Sequence, residues 1–153
     1  MITVREGTAA DRDFVIDAAR RFAAFGPPPW RSVLEVVAGE VRCLDEFFDG
    51  RLAGRTLLIA EDDHGSAGFA FLEPAVDYFS GEPHGHIGMI AVTEAAEGRG
   101  TGAALMRAAE DWARANGYAK LTLNVFDGNT RARHVYERFG YRVETVRYVK
   151  IME

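Results

Sequence analysis

Residues 97–106, EGRGTGAALM, constrain this chain more than any other stretch: three glycines alternate with Arg99 and Thr101 directly ahead of a helix-forming run. The apolar, strand-like HIGMIAV precedes the loop. Leu105, Ala109 and Trp112 follow it at helical spacing, up to a stop at Gly117. A chain that passes from strand to helix through Gly98, Gly100 and Gly102 can do one of two things. It can make a plain turn, or it can leave a row of backbone N–H groups at the positive end of a helix. The second arrangement is a nest for phosphate, open because no Cβ atoms stand in the way. In that case the main chain as far as Ala103, the Arg99 guanidinium and the Thr101 hydroxyl add donors. Spacing alone leaves both readings open.

The rest of the chain gives the loop its setting. ITVREG alternates as a short strand, and Thr8 with Asp11 three residues later predicts a capped helix start. The helix FVIDAARRFAAF carries Phe14, Ala18, Phe22 and Phe25 on one face, and GPPP must end it. A second capping pair, Ser32 and Glu35, opens a helix to about Phe48. TLLIAE and AGFAFLE, separated by DDHGS, read as a hairpin, and PAVDYFSGEPHG reads as a loop before HIGMIAV. After the glycine loop come a helix from about Gly102 to Asn116, the strand KLTLNVF, and a short helix capped by Asn129 and ended by Gly140. The closing YRVETVRYVKIME is β-rich. The order βααβββαβαβ predicts one mixed α/β domain without repeats or linkers.

Composition removes several classes of function. With 153 residues, 48% hydrophobic and 27% charged, the chain is long enough for one well-packed core. A net charge of −5 argues against nucleic acid as a partner and is compatible with cationic amines. The single cysteine, Cys43, excludes an internal disulfide. No zinc-type spacing exists, so no metal is expected and Cys43 reads as a buried structural thiol. Without signal-peptide features or a membrane-length apolar run, the expected location is cytoplasmic, with no membrane partner. GRGTGA also satisfies a relaxed dinucleotide fingerprint, but it sits late in the chain, after three antiparallel-looking strands. Asp127 falls too far on for the ribose. A nicotinamide enzyme is therefore disfavoured.

IAVTEAAEGRGTGAALM followed by LNVFDGNTRARHVYERFGY resembles the two core motifs of the GCN5-related N-acetyltransferases (GNAT): a strand, Q/R-x-x-G-x-G/A, a helix, a strand, and N-x-x-A-x-x-x-Y-x-x-x-G-F/Y. The matching positions are Gly100, Gly102, Asn129, Ala132, Tyr136, Gly140 and Tyr141, within a resemblance covering about residues 56–141. It implies a single acetyltransferase domain over 1–153. Its central sheet would be mixed, mostly antiparallel, splayed between the fourth and fifth strands and flanked by helices. Residues 85–141 would form the acetyl-CoA-binding core, and the helix pair about 8–48 the acceptor side. The first motif departs at its leading position, Glu97, whose carboxylate should face solvent or pair with Arg99 rather than face a diphosphate.

The resemblance implies acetyl-CoA as donor and direct transfer to a primary amine of a small molecule, peptide or protein. The diphosphate would lie on Gly98, Arg99, Gly100, Thr101, Gly102 and Ala103. The pantetheine arm would lie along the main chain of Ile90, Ala91 and Val92, touched by Asn129. Tyr136 would be the general acid, a role that suits a neutral phenol, although its place in the stripe Ala132, Val135, Tyr136 and Phe139 also suits a packed core tyrosine. The family's basic carboxylates are missing. One slot is Asn124, and another is His86, which can accept a proton directly or through water. His86 equally suits a solvated loop, Glu73 is the reserve base, and a water chain remains open. Trp30, Tyr78 and Phe79 can shape an acceptor pocket or cover the core, and each singly reads best as a cover; Asp77 and Glu82 can attract a cationic acceptor, with a solvated loop as the default reading. The alternative is an acyl-CoA sensor that does not turn its ligand over. The β-rich end leaves a homodimer open.

Overall fold

Local signals in the first third of the chain act as the sequence predicts. Strand β1 (Thr3–Glu6) leads into a 3-10 turn (Ala9–Asp11) and helix α1 (Arg12–Phe22). The Thr8 hydroxyl accepts from Ala10 N–H at 3.3 Å while the Asp11 carboxylate accepts from Thr8 N–H at 2.8 Å. Helix α2 (Val33–Phe48) begins in the same way: Ser32 Oγ accepts from Glu35 N–H at 3.0 Å and Glu35 Oε1 from Ser32 N–H at 2.8 Å. Such caps stabilise a helix by about 1 kcal/mol each, because they satisfy N–H groups that the helix cannot. The computed structural model describes residues 1–153 apart from the side chain of Phe22. The expected place of Phe22 on the apolar face of α1 thus lies outside the described residues.

Five strands form one sheet in the order β1-β2-β3-β4-β5, with β2 Thr56–Asp62, β3 Gly65–Val76, β4 Pro83–Val92 and β5 Leu121–Leu123. All neighbours are antiparallel except β4 and β5. Alternation along β3 sends Phe69 and Phe71 to one face, against Val15, Ala19 and Leu44 of α1 and α2. Ala70 and Leu72 face the other way, against Leu105, Met106 and Ala109 of helix α3 (Thr101–Ala115). Both phenylalanines are fully buried, and each contributes roughly 1.5–3 kcal/mol. Helix α4 (Thr130–Arg138) closes the α3 face. Among the described residues no helix is long and apolar enough to cross a membrane.

Three expectations need correction. The stretch read as a loop, PAVDYFSGEPHG, is mostly sheet: Pro74–Val76 and Pro83–Gly85 pair with each other, so that only residues 77–82 form the turn. Pro74 is tolerated because β2 stops at the Leu72 register, leaving Pro74 an edge on that side. KLTLNVF contributes only Leu121–Leu123. The β-rich end forms no strand; residues 142–153 are exposed and irregular.

The sheet opens where the site was expected. Parallel pairing covers Gly85↔Leu121, His86↔Thr122 and Ile87↔Leu123 and then stops, so residues 89–92 of β4 are paired on the β3 side alone. A bulge marks the same point: Phe71 pairs with Met89 and Leu72 with Ile87, leaving Gly88 unpaired.

Candidate functional site

The glycine loop is an open cradle. Gly98 and Gly100 have φ of 74° and 86°, a backbone region that favours glycine, and a Cβ on Gly98 would meet nothing within 4 Å. Ala104 is the first residue of α3 whose N–H finds a helical acceptor, the Gly100 carbonyl at 3.0 Å. Among the described residues, the N–H groups of residues 98–103 take no protein acceptor. Unpaired N–H groups at a helix N-terminus are what an anion needs. Thr101 is only 1% exposed, and its hydroxyl is buried without a partner, so it lies beneath the loop rather than on its surface. The side chain of Arg99 lines a cleft of about 400 Å³ with Asp62, His64 and Thr93, on the β2–β3 side of the loop.

Strand β4 leads to this cradle with unused backbone. Thr93 N–H donates to Ala67 of β3 at 2.8 Å. By the alternation of an antiparallel ladder, Ala91 also turns its main chain to β3, while Val92 and Ile90 turn theirs to the gap beyond Leu123. Their side chains pack on the α3 core and Ala91 packs on the α1 core. The Val92 carbonyl is taken: Arg21 of α1 donates to it at 2.8 Å. The same guanidinium donates to Glu97 Oε1 at 2.7 Å, and Arg131 of α4 stands 3.7 Å from the other Glu97 oxygen. Glu97 therefore neither faces solvent alone nor pairs with Arg99. Arg21 first, and Arg131 after it, hold its carboxyl below the usual range. This arrangement cancels a carboxylate that would otherwise repel an anion in the cradle. Asn129 caps α4 through Oδ1, which accepts from Ala132 N–H at 3.3 Å, so only its amide NH₂ is free of that duty.

The candidate bases come together at the mouth of the gap. His86 and Glu73 are direct partners across β4 and β3, on the α2 face of the sheet. His86 is half-buried and not solvated: its Nδ1 lies 2.8 Å from Thr122 Oγ1 of β5. Burial lowers its pKa, the Glu73 carboxylate opposes that shift and His84 reinforces it. Glu73 is 3.5 Å from Arg55. Glu40 of α2 is pushed up by burial and by Glu73. Cys43, half-buried on the same helix, is a thiol raised by burial. Tyr136 lies on the opposite face, in the apolar cluster that holds Ile90, Val92 and Leu123, edge-on to Tyr141 at 6.3 Å. Burial raises its phenol, so it keeps its proton at neutral pH. Asn124 is exposed.

The loop residues read as core covers do not act so. Tyr78 is 91% and Phe79 87% exposed, stacked edge-on at 5.3 Å, and Trp30 is also exposed. Asp77 is not freely solvated: it pairs with Lys120 and accepts from the N–H groups of Phe79 and Ser80, at 2.9 and 2.8 Å. Sequence reasoning missed Arg21, Thr122 and the Gly88 bulge. Only Gly88, a glycine inside a strand, left a visible trace.

A sheet that parts between two parallel strands, with unpaired N–H groups at one end and the free main chain of Ile90 along the gap, has a geometry suited to an extended, phosphate-bearing molecule. A family model described as the acetyltransferase (GNAT) family matches residues 23–141, and the chain belongs to that family. It is an N-acetyltransferase. It is 32% identical to the uncharacterised N-acetyltransferase YhfO of Bacillus subtilis (strain 168) over 110 residues, 71% of this chain and 74% of that one. A solved structure from Pyrococcus furiosus, assigned as an acetyl transferase, superposes with a TM-score of 0.81 at 23% identity, over 99% of this chain and 100% of its own. The aminoglycoside N-acetyltransferase AAC(6')-Iy, solved in complex with CoA, superposes with a TM-score of 0.74 at 18% identity, over 100% of this chain and 95% of its own.

Proposed function

We propose that the protein transfers the acetyl group of acetyl-CoA directly to a primary amine of a small molecule, peptide or protein. One observation carries this reading: β4, with the main chain of Ile90 and the N–H of Val92 turned to the gap, leads through Thr93–Glu97 to the unpaired N–H groups of residues 98–103. Such a strip suits a long amide-bearing arm that ends in a diphosphate. The residues present fit acetyl-CoA, since the loop is open over Gly98 and the one ill-placed carboxylate, Glu97, is neutralised by Arg21. When bound, acetyl-CoA supplies an acetyl group activated as a thioester.

Each remaining task falls to a residue of this chain. Residues 98–103 hold negative charge, and Ile90 and Val92 N–H orient the arm, with the Asn129 amide beside them. Amines reach the site as ammonium ions at neutral pH and need a base. His86 takes that proton, since burial keeps its ring neutral and ready to accept, and Glu73 across the strand pair steadies the charged ring that results. Tyr136, neutral and half-buried, is the acid. The exposed aromatic rings of Trp30, Tyr78 and Phe79 are offered to the acceptor.

Calorimetric titration with acetyl-CoA, followed by thiol release with a polyamine, an aromatic monoamine, an aminoglycoside and a short peptide, tests the reading. Binding with release for one amine class is expected. Tyr136→Phe then lowers kcat roughly 10²-fold with little change in acetyl-CoA binding. Absence of acetyl-CoA binding overturns the assignment of donor, and binding without turnover of any amine turns the protein into a sensor.

A further inference from the structure

We infer that Thr122 is a positioning residue that fixes which nitrogen of His86 carries the proton, leaving Nε2 as the basic atom. The inference rests on the proposed role of His86 as base.

The argument is a count of protons. The Thr122 hydroxyl has one proton and two lone pairs. It lies 2.8 Å from His86 Nδ1 and 3.4 Å from the Gly85 carbonyl, which can only accept. If the hydroxyl donates to Gly85, a lone pair faces His86, and Nδ1 must carry the hydrogen. Both protons are then used, and only a lone pair at Nε2 lacks a partner. If the hydroxyl instead donates to His86, the ring proton moves to Nε2. Nε2 has no hydrogen-bond acceptor among the described residues, so a half-buried N–H would stand unmatched. Unmatched N–H groups are rarer and more costly in proteins than unmatched acceptors. His84 belongs to the same network: its Nδ1 lies 2.9 Å from the Gly85 carbonyl, to which it donates, and 3.5 Å from Thr122 Oγ1, so it offers the Thr122 hydroxyl no competing acceptor.

The place of Thr122 makes the device specific. It is the residue of β5 in direct register with His86, one position before parallel pairing ends and the gap begins. Nδ1 faces Thr122 of β5, and Glu73 of β3 is the cross-strand partner of His86 on the other side. A proton arriving from an ammonium ion forms an N–H bond at Nε2 as the substrate N–H bond breaks. The positive charge that results is steadied through space by the Glu73 carboxylate, while Nδ1–H still donates to Thr122.

Nitrogen-15 NMR of the histidine-labelled protein at neutral pH reads the tautomer directly, with no ligand present. A protonated Nδ1 and an unprotonated Nε2 at His86 are expected. Thr122→Val should shift the ring towards the Nε2–H form, and Thr122→Ser should restore the original spectrum. Wild-type protein with the proton on Nε2, or Thr122→Val with an unchanged spectrum, overturns the inference. Kinetics separates it from the reading beneath it. With whichever panel amine releases thiol, Thr122→Val should lower kcat about tenfold at unchanged acetyl-CoA KM, and Thr122→Ser should recover it. If His86→Gln retains full turnover, His86 is not the base, although the tautomer assignment by NMR still stands.

Discussion

Replacing Gly68 by alanine should destabilise the protein by about 2–4 kcal/mol, through crowding and not through backbone strain. Gly68 lies in β3, opposite Ala60 of β2 and Val92 of β4. A Cβ there would sit 2.6 Å from the Ala91 carbonyl oxygen, 3.2 Å from Leu105 Cδ1 and 3.3 Å from Thr101 Cγ2. Leu105 and Thr101 can each yield a few tenths of an ångström by small side-chain rotations. The carbonyl cannot, because it belongs to a strand whose ladder with β3 holds it in place. To restore an ordinary contact of about 3.5 Å, that strand must retreat by nearly 1 Å. Overpacking typically costs 1–3 kcal/mol, and a clash with main chain belongs at or above the top of that range. For a chain of this size the shift corresponds to a fall in Tm of about 5–15 °C. Urea unfolding followed by tryptophan fluorescence measures it. Because Ala91 and Thr101 flank the cradle, acetyl-CoA affinity should fall in the same variant. A loss of stability below about 0.5 kcal/mol would show that β4 is free to move, and the reasoning would fail.

The opposite sign is expected at Gly39, inside α2, where a Cβ would meet only the Arg42 guanidinium at 3.9 Å. Gly39→Ala should stabilise by about 0.5–1 kcal/mol in the same urea assay, since it removes unfolded-state freedom at no cost in space. Asp11 gives a pH dependence. Its carboxylate accepts from both terminal nitrogens of Arg5, at 2.8 and 2.9 Å, and from Thr8 N–H, so that it titrates at about 2 in the folded protein. A lowered folded-state pKa stabilises above the ordinary carboxylate range, and the contribution fades as pH falls from about 4 to about 2. Allowing for a partly exposed Arg5, about 1–2 kcal/mol is at stake. Asp11→Asn should lower the urea midpoint at pH 6 and leave it nearly unchanged near pH 2. An equal deficit at both pH values would remove the ion pair from the account.

What could be read from the sequence was what depends on near neighbours. The boxes Thr8/Asp11 and Ser32/Glu35 and the cap at Asn129 are decided within one helical turn, and all three form as expected. The two acetyltransferase motifs, read as a resemblance, pointed to the glycine loop and to the strands on either side of the gap. What could not be read depends on which edges are left free. Pro74 looks like a strand breaker until β2 is seen to end at Leu72, and the apolar alternation of residues 141–151 says nothing about whether a partner strand exists. The fate of Glu97 was hidden by distance along the chain, since Arg21 lies 76 positions away. His86 and Thr122, 36 positions apart, meet only because β4 and β5 are parallel.

Arg21 has a consequence for anyone who would re-engineer this protein. Its guanidinium ties α1 both to the last carbonyl of β4 and to the carboxylate beside the cradle. The N-terminal helices are therefore not an interchangeable module laid over a self-sufficient catalytic half. A chimera that imported α1 and α2 from another acetyltransferase to change its acceptor would leave Glu97 without its closest cation, at the edge of the proposed anion site, unless the graft carried an arginine at position 21. Altered amine preference would then arrive together with weaker hold on the donor, and the two effects would be mistaken for one.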